Sequence, residues 1–253
     1  MAATGSRAKK PKAAAGKSDA AAAVARGPLR RVLLWIGRVL LGLAAFFTLL
    51  VLIYAVVPPP TTLYILQERW RLGTVERDWV GGDRIAPVMM RSVVAAEDAN
   101  FCLHWGFDMA AIRLAVEQGG NRGASTLSQQ VVKNVFLWHG RNWARKALEA
   151  AITPAMELVW TKRRILVVYL NVAEFGEGIF GVEAAARHVF GVSAAELTPV
   201  QAARLAAVLP DPKGRDAGDP SRFVRNRARS ILSGAETIAL DGRAACFEQA
   251  PAE

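Results

Sequence analysis

The sequence predicts an all-α domain carried behind a single membrane-spanning helix, and three observations predict it. An uncharged run from Val39 to Val57 follows a strongly basic arm. Beyond it, apolar residues recur at helical spacing in segment after segment, with hydroxyl start signals ahead of several of them. No alternating apolar and polar run bounded by hairpin turns competes with these helices.

A chain of 253 residues with 52% hydrophobic content is long enough to bury one good-sized core, so one domain with appendages is expected. The net charge of +10 suggests a nucleic-acid partner only until it is located along the chain. Residues 1–38 hold nine Lys or Arg against Asp19 alone, and the remaining 215 residues carry a net charge of only +2. The body is nearly neutral, so no nucleic-acid partner is expected. Residues 1–31 are rich in Ala, Lys and Gly and poor in large apolar side chains. They read as a disordered cytoplasmic arm that orients the anchor and touches anionic lipid.

Residues 32–57 read as the transmembrane helix. At about 1.5 Å per residue, the uncharged run nearly spans a hydrocarbon core roughly 30 Å thick. The basic arm before it and the neutral body after it put the N-terminus in the cytoplasm by the positive-inside rule. A cleaved signal peptide also has a basic front and an apolar centre, but this run is too long for a signal core. "PPPTTLY" behind it offers no A-x-A cleavage site. An uncleaved anchor with an exported body is expected. Only two cysteines occur, Cys102 and Cys246, 144 residues apart. The exported compartment permits a disulfide, yet two cysteines do not describe a disulfide scaffold, and two unpaired thiols remain equally open.

Residues 58–234 form the expected helical domain. Ser193 with Glu196, and Thr198 with Pro199 and Gln201, match capping boxes, the second with proline at the first helical position. "ARKALEAAITPAMELVW", "RRILVVYLNVAEF" and "VQAARLAAVL" carry helical apolar spacing, "LPDPKGRDAGDP" is the clearest loop, and residues 235–253 read as a loose tail.

Chemistry is sought in polar residues that a helical core does not need. In "AAEDANFCLHWGFD", a continuous helix would put Glu97 on one face with Phe101 and Trp105, where desolvation raises a carboxyl towards a useful base. Taken alone, Glu97 and Asp98 read equally well as the solvated end of a helix. In "RNWARKALEAA", Arg141, Arg145 and Glu149 are spaced i, i+4, i+8, with Lys146 three residues before the glutamate. Surface ion pairs of about 0.5 kcal/mol each are the plain reading. Three cations around one carboxylate leave spare positive charge, which suits a phosphate-bearing ligand. Between these segments, "NRGASTLSQQVVKNVF" crowds polar groups beyond what a helix start requires. Ser125 or Thr126 serves as the cap, while Gln130, Lys133 and Asn134 offer amide and ammonium donors within a turn of one another. A site for an anionic, hydroxyl-rich ligand follows.

"EDANFCLHWGFD", "GASTLSQQVVKN", "RKALEA" and "KRRILVVYLN", in this order over about 75 residues, resemble the successive motifs of the peptidoglycan glycosyltransferases. That family also supplies the N-terminal domain of bifunctional penicillin-binding proteins. "GVEAAARHVFG" and "AARLAAVLPDP" extend the resemblance over nearly all of residues 60–232. The body holds no S-x-x-K or K-T-G pattern and leaves no room for a transpeptidase domain, so the monofunctional branch is expected.

The resemblance implies a lysozyme-like helical fold on the outer (periplasmic) face of the bacterial inner membrane. It implies polymerisation of lipid II into β-1,4-linked glycan held on undecaprenyl pyrophosphate, by a single inverting displacement. Other cell-wall synthases are the protein partners it suggests. The family's first catalytic glutamate maps onto Glu97, as base for the acceptor 4-hydroxyl. The second maps onto Glu149, suited to orienting cations or holding a divalent metal, Mg2+ or Mn2+, on the pyrophosphate. Lys133, Arg141, Arg145 and Lys146 would meet the leaving group's charge, and Ser125, Thr126, Gln130 and Asn134 would line the same cleft.

The chain departs from the family pattern at Ala124, where many members carry glycine, and at Val167, where many carry glutamate. "AIRLAVEQGGNRGAS" is short for the family, which bears on acceptor contacts and processivity. With His104, His139 and His188 widely separated, no zinc site is expected; His104 reads as an ordering hydrogen bond. Two rival functions remain as alternatives: a lytic transglycosylase or lysozyme-like hydrolase, and a noncatalytic, membrane-tethered glycan-binding protein. A neutral leaving group needs no phosphate clamp, and a binding protein needs no pair of glutamates.

Overall fold

Hydroxyl caps open five helices of the body. In the computed structural model, which describes residues 16–119, 125–140 and 142–248 with side chains from Arg30 onward, Thr62 caps α2 (Leu63–Leu72). Thr126 caps α5 (Leu127–Phe136), Thr161 caps α7 (Lys162–Val172), Thr198 caps α9 (Pro199–Val208) and Ser221 caps α10 (Arg222–Leu240). Each hydroxyl accepts a backbone N–H that the first helical turn leaves without a partner. The expected capping boxes at Ser193 and Thr198 are both present. The first opens only a 3-10 turn, Ala194–Glu196, while the second, with Pro199 behind it, opens α9.

The chain divides into two units, Met1–Thr48 and Leu49–Glu253. In the first, α1 (Gly16–Val56) begins at Gly16, so residues 16–31, expected as part of a disordered arm, are helical. The Ala-rich stretch elongates a helix already nucleated by the apolar run, which costs far less than starting one. Arg30–Val56, 27 residues, is long and apolar enough to cross a membrane.

In the second unit, helices group by their buried stripes. α3 (Pro87–Glu97), α9 and α10 pack on one another, with Ala202, Ala203, Ala206 and Ala207 letting α9 approach closely. α5 packs against α6 (Trp143–Val159) and α7, and α7 is buried without interruption from Ile165 to Val172. α4 (Met109–Glu117) and α8 (Val182–Phe190) complete the longer helices among the described residues.

The helix expected to continue through "NVAEF" stops at Val172, because Ala173 is extended and Glu174–Gly176 forms a strand. That strand, β2, joins β1 (Glu76–Arg77) and β3 (Ile179–Phe180) in a small sheet of order β1-β3-β2. Glu76 lies opposite Ile179 in parallel register, and Glu174 opposite Phe180 in antiparallel register. The sheet leads into α8 through Gly181 at φ 88°, where a side chain would press on the Asn171 carbonyl oxygen at 3.1 Å.

The C-terminus also departs from expectation. α10 continues past residue 234 to Leu240 because its stripe of Val224, Ala228, Ile231, Ala235 and Ile238 does. A last turn, α11 (Ala245–Glu248), packs on α7, with Phe247 0% exposed. Cys102 and Cys246 form a disulfide, which removes the reading of two free thiols. Residues 235–248 are therefore not a loose tail.

Candidate active site

Glu97 is the last residue of α3, and Asp98, not a further helical turn, follows it. The expected helical face with Phe101 and Trp105 is not formed. Phe101 lies in a 3-10 turn and is fully buried, whereas Trp105 is 70% exposed. What shields Glu97 instead comes from other helices. Gln130 Nε2 on α5 donates to Glu97 Oε2 at 3.0 Å, and Tyr169 Oη on α7 donates to Gln130 Oε1 at 3.3 Å. Arg227 Nη2 on α10 stands 3.8 Å from Glu97 Oε1, too far for a hydrogen bond, and Oε1 is buried with no partner. Burial pushes the Glu97 carboxyl above its ordinary value of 4.5, against the pull of the Gln130 amide, Arg227 and Lys133. The direction expected from sequence holds, with different neighbours as its cause.

Asp98 is structural. Its Oδ1 lies 2.9 Å from His104 Nε2, and its Oδ2 accepts the Leu127 N–H at 2.9 Å, which ties the start of α5 to the end of α3. His104 thus orders this junction, as expected. Ser128 donates to Glu157, which also pairs with Lys162 at 2.7 Å, so these polar residues of α5, α6 and α7 form a second structural link.

Glu149 has the opposite surroundings. It is 2% exposed; Arg145 Nη1 donates to its Oε2 at 2.7 Å, and Lys146 Nζ donates to its Oε1. The spacing of one face is realised, but Asn142 is the N-cap of α6 and the helix begins at Trp143. Arg141, expected on that face, lies outside the described residues, as does Ala124. Arg145 Nε also donates to the Gly140 carbonyl at 2.9 Å, which fixes the guanidinium across the loop that enters the helix. Asn142, Trp143, Arg145 and Lys146 line a depression of about 260 Å³.

The α5 wall separates into cap and cleft. The Thr126 hydroxyl, expected to contact substrate, is buried. It donates to the Gly106 carbonyl at 2.7 Å and accepts the Gln129 N–H at 3.3 Å, so its one proton is already engaged. Ser125 is exposed, and its Oγ lies 3.4 Å from Lys146 Nζ. Gln130, Lys133 and Asn134 line a cavity of about 220 Å³ together with Tyr64, His139 and Glu174. Lys133 lies within the fields of both glutamates, and burial, with Arg145 and Lys146, lowers its pKa against their attraction.

Sequence reasoning missed Arg227, Tyr169, Tyr64 and His139. Tyr169 had a signal, as a hydroxyl within the otherwise apolar "ILVVYL"; Arg227 is one of several arginines in α10 and had none. His139 Nε2 lies 3.2 Å from Asn134 Oδ1, and its ring stacks on Tyr64 at 3.7 Å between centroids. Burial, with Lys133 and Arg145, lowers its pKa to about 4, so the ring is neutral near pH 7 and Nε2–H is the donor. Tyr64 Oη donates to Glu174 Oε2 at 2.5 Å, which holds the stack against β2.

Both Glu149 oxygens are committed to cations, and no group of three or more His, Cys, Asp or Glu with metal-binding geometry occurs among the described residues. A metal held by Glu149 does not fit this arrangement, because the ion would have to displace Arg145 or Lys146.

The protein-family model described as Transglycosylase matches residues 66–236. A "Biosynthetic peptidoglycan transglycosylase" of Jannaschia sp. (strain CCS1) is 67% identical over 213 residues, covering 84% of this chain and 89% of its own. Proteins of the same name from Stutzerimonas stutzeri (strain A1501) and Yersinia pseudotuberculosis serotype O:1b (strain IP 31758) are 52% and 48% identical. They cover 80% and 78% of this chain, and 88% and 87% of their own lengths.

Proposed function

The chain belongs to the transglycosylase family, and from that premise we propose that its two glutamates divide the chemistry of glycan-strand polymerisation between them. The protein is a peptidoglycan glycosyltransferase. The observation that carries the division of labour is the contrast between the two carboxylates. Glu97 is desolvated and held by one neutral amide, whereas Glu149 is clamped by two cations.

A carboxylate that burial makes more basic suits proton abstraction. Glu97 takes the proton of the acceptor 4-hydroxyl as that oxygen attacks the anomeric carbon of the lipid-linked donor. The new C–O bond forms on the face opposite the departing oxygen, the anomeric C–O bond breaks, and its electron pair leaves with undecaprenyl pyrophosphate. An α-linked donor gives a β-1,4 product in this one displacement, and no covalent enzyme intermediate forms. The pyrophosphate's charge is met by Lys133, Arg145 and Lys146, with Glu149 holding the last two in place. Gln130, Asn134 and Ser125 orient the sugars.

The substrate is lipid II, and the membrane concentrates it, since donor and acceptor are both lipids. A divalent cation would enter this reading only as a companion of the pyrophosphate, where it would add positive charge, and not as an ion held by Glu149. In this reading the anchor lies in the inner membrane, with its N-terminus in the cytoplasm and residues 58–248 on the periplasmic side. The net charge of +8 on residues 1–38 supports that orientation, and so does a disulfide, which persists in an oxidising compartment. Hydrolysis and noncatalytic binding are not favoured, because a phosphate clamp and a desolvated base serve neither together.

Purified full-length protein with lipid II in detergent tests the reading. A β-1,4-linked, lysozyme-sensitive polymer is expected. Its absence, where an active family member polymerises under the same conditions, contradicts the assignment.

A further inference from the structure

The C-terminal residues 241–248 lie beyond the family match and form no hydrogen bond or ion pair with the cleft residues named above, yet they are bonded to the segment that carries Glu97. Arg243 Nη1 donates to the Ala99 carbonyl at 3.0 Å. Cys246 is bridged to Cys102 in the turn that follows. Glu248 pairs with Arg91 on α3 at 2.9 Å, and Arg163 on α7 donates to the Phe247 carbonyl at 2.8 Å. On the other side of the glutamate, Arg227 Nη2 reaches the Ala96 carbonyl at 3.4 Å.

The backbone carbonyls flanking Glu97 and Asp98, at 96 and 99, are therefore both bonded by arginines from the C-terminal region. This matters because the Glu97 side chain itself is weakly held. One oxygen has a single neutral donor and the other has none. Such a carboxylate takes its direction from the backbone beneath it, and it stays among Gln130, Tyr169 and Arg227, which shield it, only while that backbone is held.

We propose that residues 241–248 form a clasp that positions Glu97, locked covalently by the Cys102–Cys246 disulfide. Arg243, Cys102 and Cys246 are positioning residues for the polymerisation step, and the clasp closes fully only where the disulfide forms. Reduction, which adds two electrons and two protons from a thiol reductant to give two thiols, loosens the loop after Glu97 without touching the pyrophosphate clamp. The inference rests on Glu97 being the base.

The test uses the full-length protein with lipid II. Cys102→Ser/Cys246→Ser and Arg243→Met are compared with wild type for kcat, KM and the pH dependence of kcat. The clasp requires kcat to fall by roughly tenfold to a hundredfold in the serine pair, with KM changed less than about twofold. It also requires the acid limb to move to lower pH, since water admitted to Glu97 lowers its pKa. Arg243→Lys, which keeps a donor for the Ala99 carbonyl, restores the limb. If the serine pair does not fold, Arg243→Met, which keeps the disulfide and has no donor, decides alone. Wild-type kcat and acid limb in the folded variants, beside an inactive Glu97→Gln, overturn the clasp and leave the base assignment standing. A normal rate from Glu97→Gln overturns the base assignment itself, and the clasp with it.

Discussion

Gln130 Nε2 donates to Glu97 Oε2 at 3.0 Å, and this is the one hydrogen bond that the Glu97 carboxylate receives among the described residues. The amide is itself oriented by Tyr169, whose hydroxyl takes its other end at 3.3 Å. A half-buried amide on α5 and a buried phenol on α7 thus form a chain of neutral groups that ends on Glu97.

Removing that amide leaves the carboxylate without a donor. Because the Gln130 bond lowers the Glu97 pKa against desolvation, Gln130→Leu raises it further. The base must be ionised to act, so the acid limb of kcat moves to higher pH. Tyr169→Phe produces a smaller shift in the same direction. The pH profile of polymerisation for the two variants checks this, and an unmoved limb in Gln130→Leu removes the amide as the tuning group.

Glu149→Gln is expected to act differently. The two cations lose the group that orients them, the fold loses about 1–3 kcal/mol, and kcat falls. The acid limb stays where wild type has it, because Glu149 does not accept the proton. Denaturant melts together with a kcat profile separate this variant from changes at Glu97.

Thr126 and Ser125 are neighbours with separate duties. Thr126→Val removes the cap and the Gly106 bond, costing about 1–2 kcal/mol of stability with KM little changed. Ser125→Ala leaves the melting curve alone and raises KM for lipid II a few-fold. The opposite pattern would return Thr126 to the substrate.

His139 links stability to pH. Its folded pKa, about 4, lies below the ordinary 6.5, so the folded state favours the neutral ring. Its contribution is complete above pH 6.5 and is lost as pH falls towards 4, where the unfolded chain binds the proton first. His139→Phe keeps the stack on Tyr64 and loses the Asn134 bond, at a cost of about 1 kcal/mol. Melting temperatures across this window fall less steeply in the variant than in wild type; parallel slopes contradict the assignment.

Much of this architecture is legible in the sequence where the cause is local. The apolar run, the threonine caps and the helical stripes each depend on residues a few positions apart; α9 begins where its capping box says, and α5 begins after Thr126, one of the two hydroxyls expected to cap it. The pairing of Arg145 and Lys146 with Glu149 is legible for the same reason. Long-range causes are not. Glu97 is shielded by Gln130, Tyr169 and Arg227, respectively 33, 72 and 130 residues away, as their positions in the chain show. The Cys102–Cys246 bond depends on α10 returning alongside α3, which no spacing in either segment announces. Thr126 was misplaced because a cap and a ligand contact use the same hydroxyl, and only the Gly106 carbonyl distinguishes them.

The most direct test is Glu97→Gln measured for two quantities in one preparation: lipid II polymerisation and lipid II binding. With Glu97 as the base, polymerisation falls by about a hundredfold to ten-thousandfold while binding stays within about twofold of wild type. Polymerisation at a normal rate by a folded Glu97→Gln protein contradicts that role.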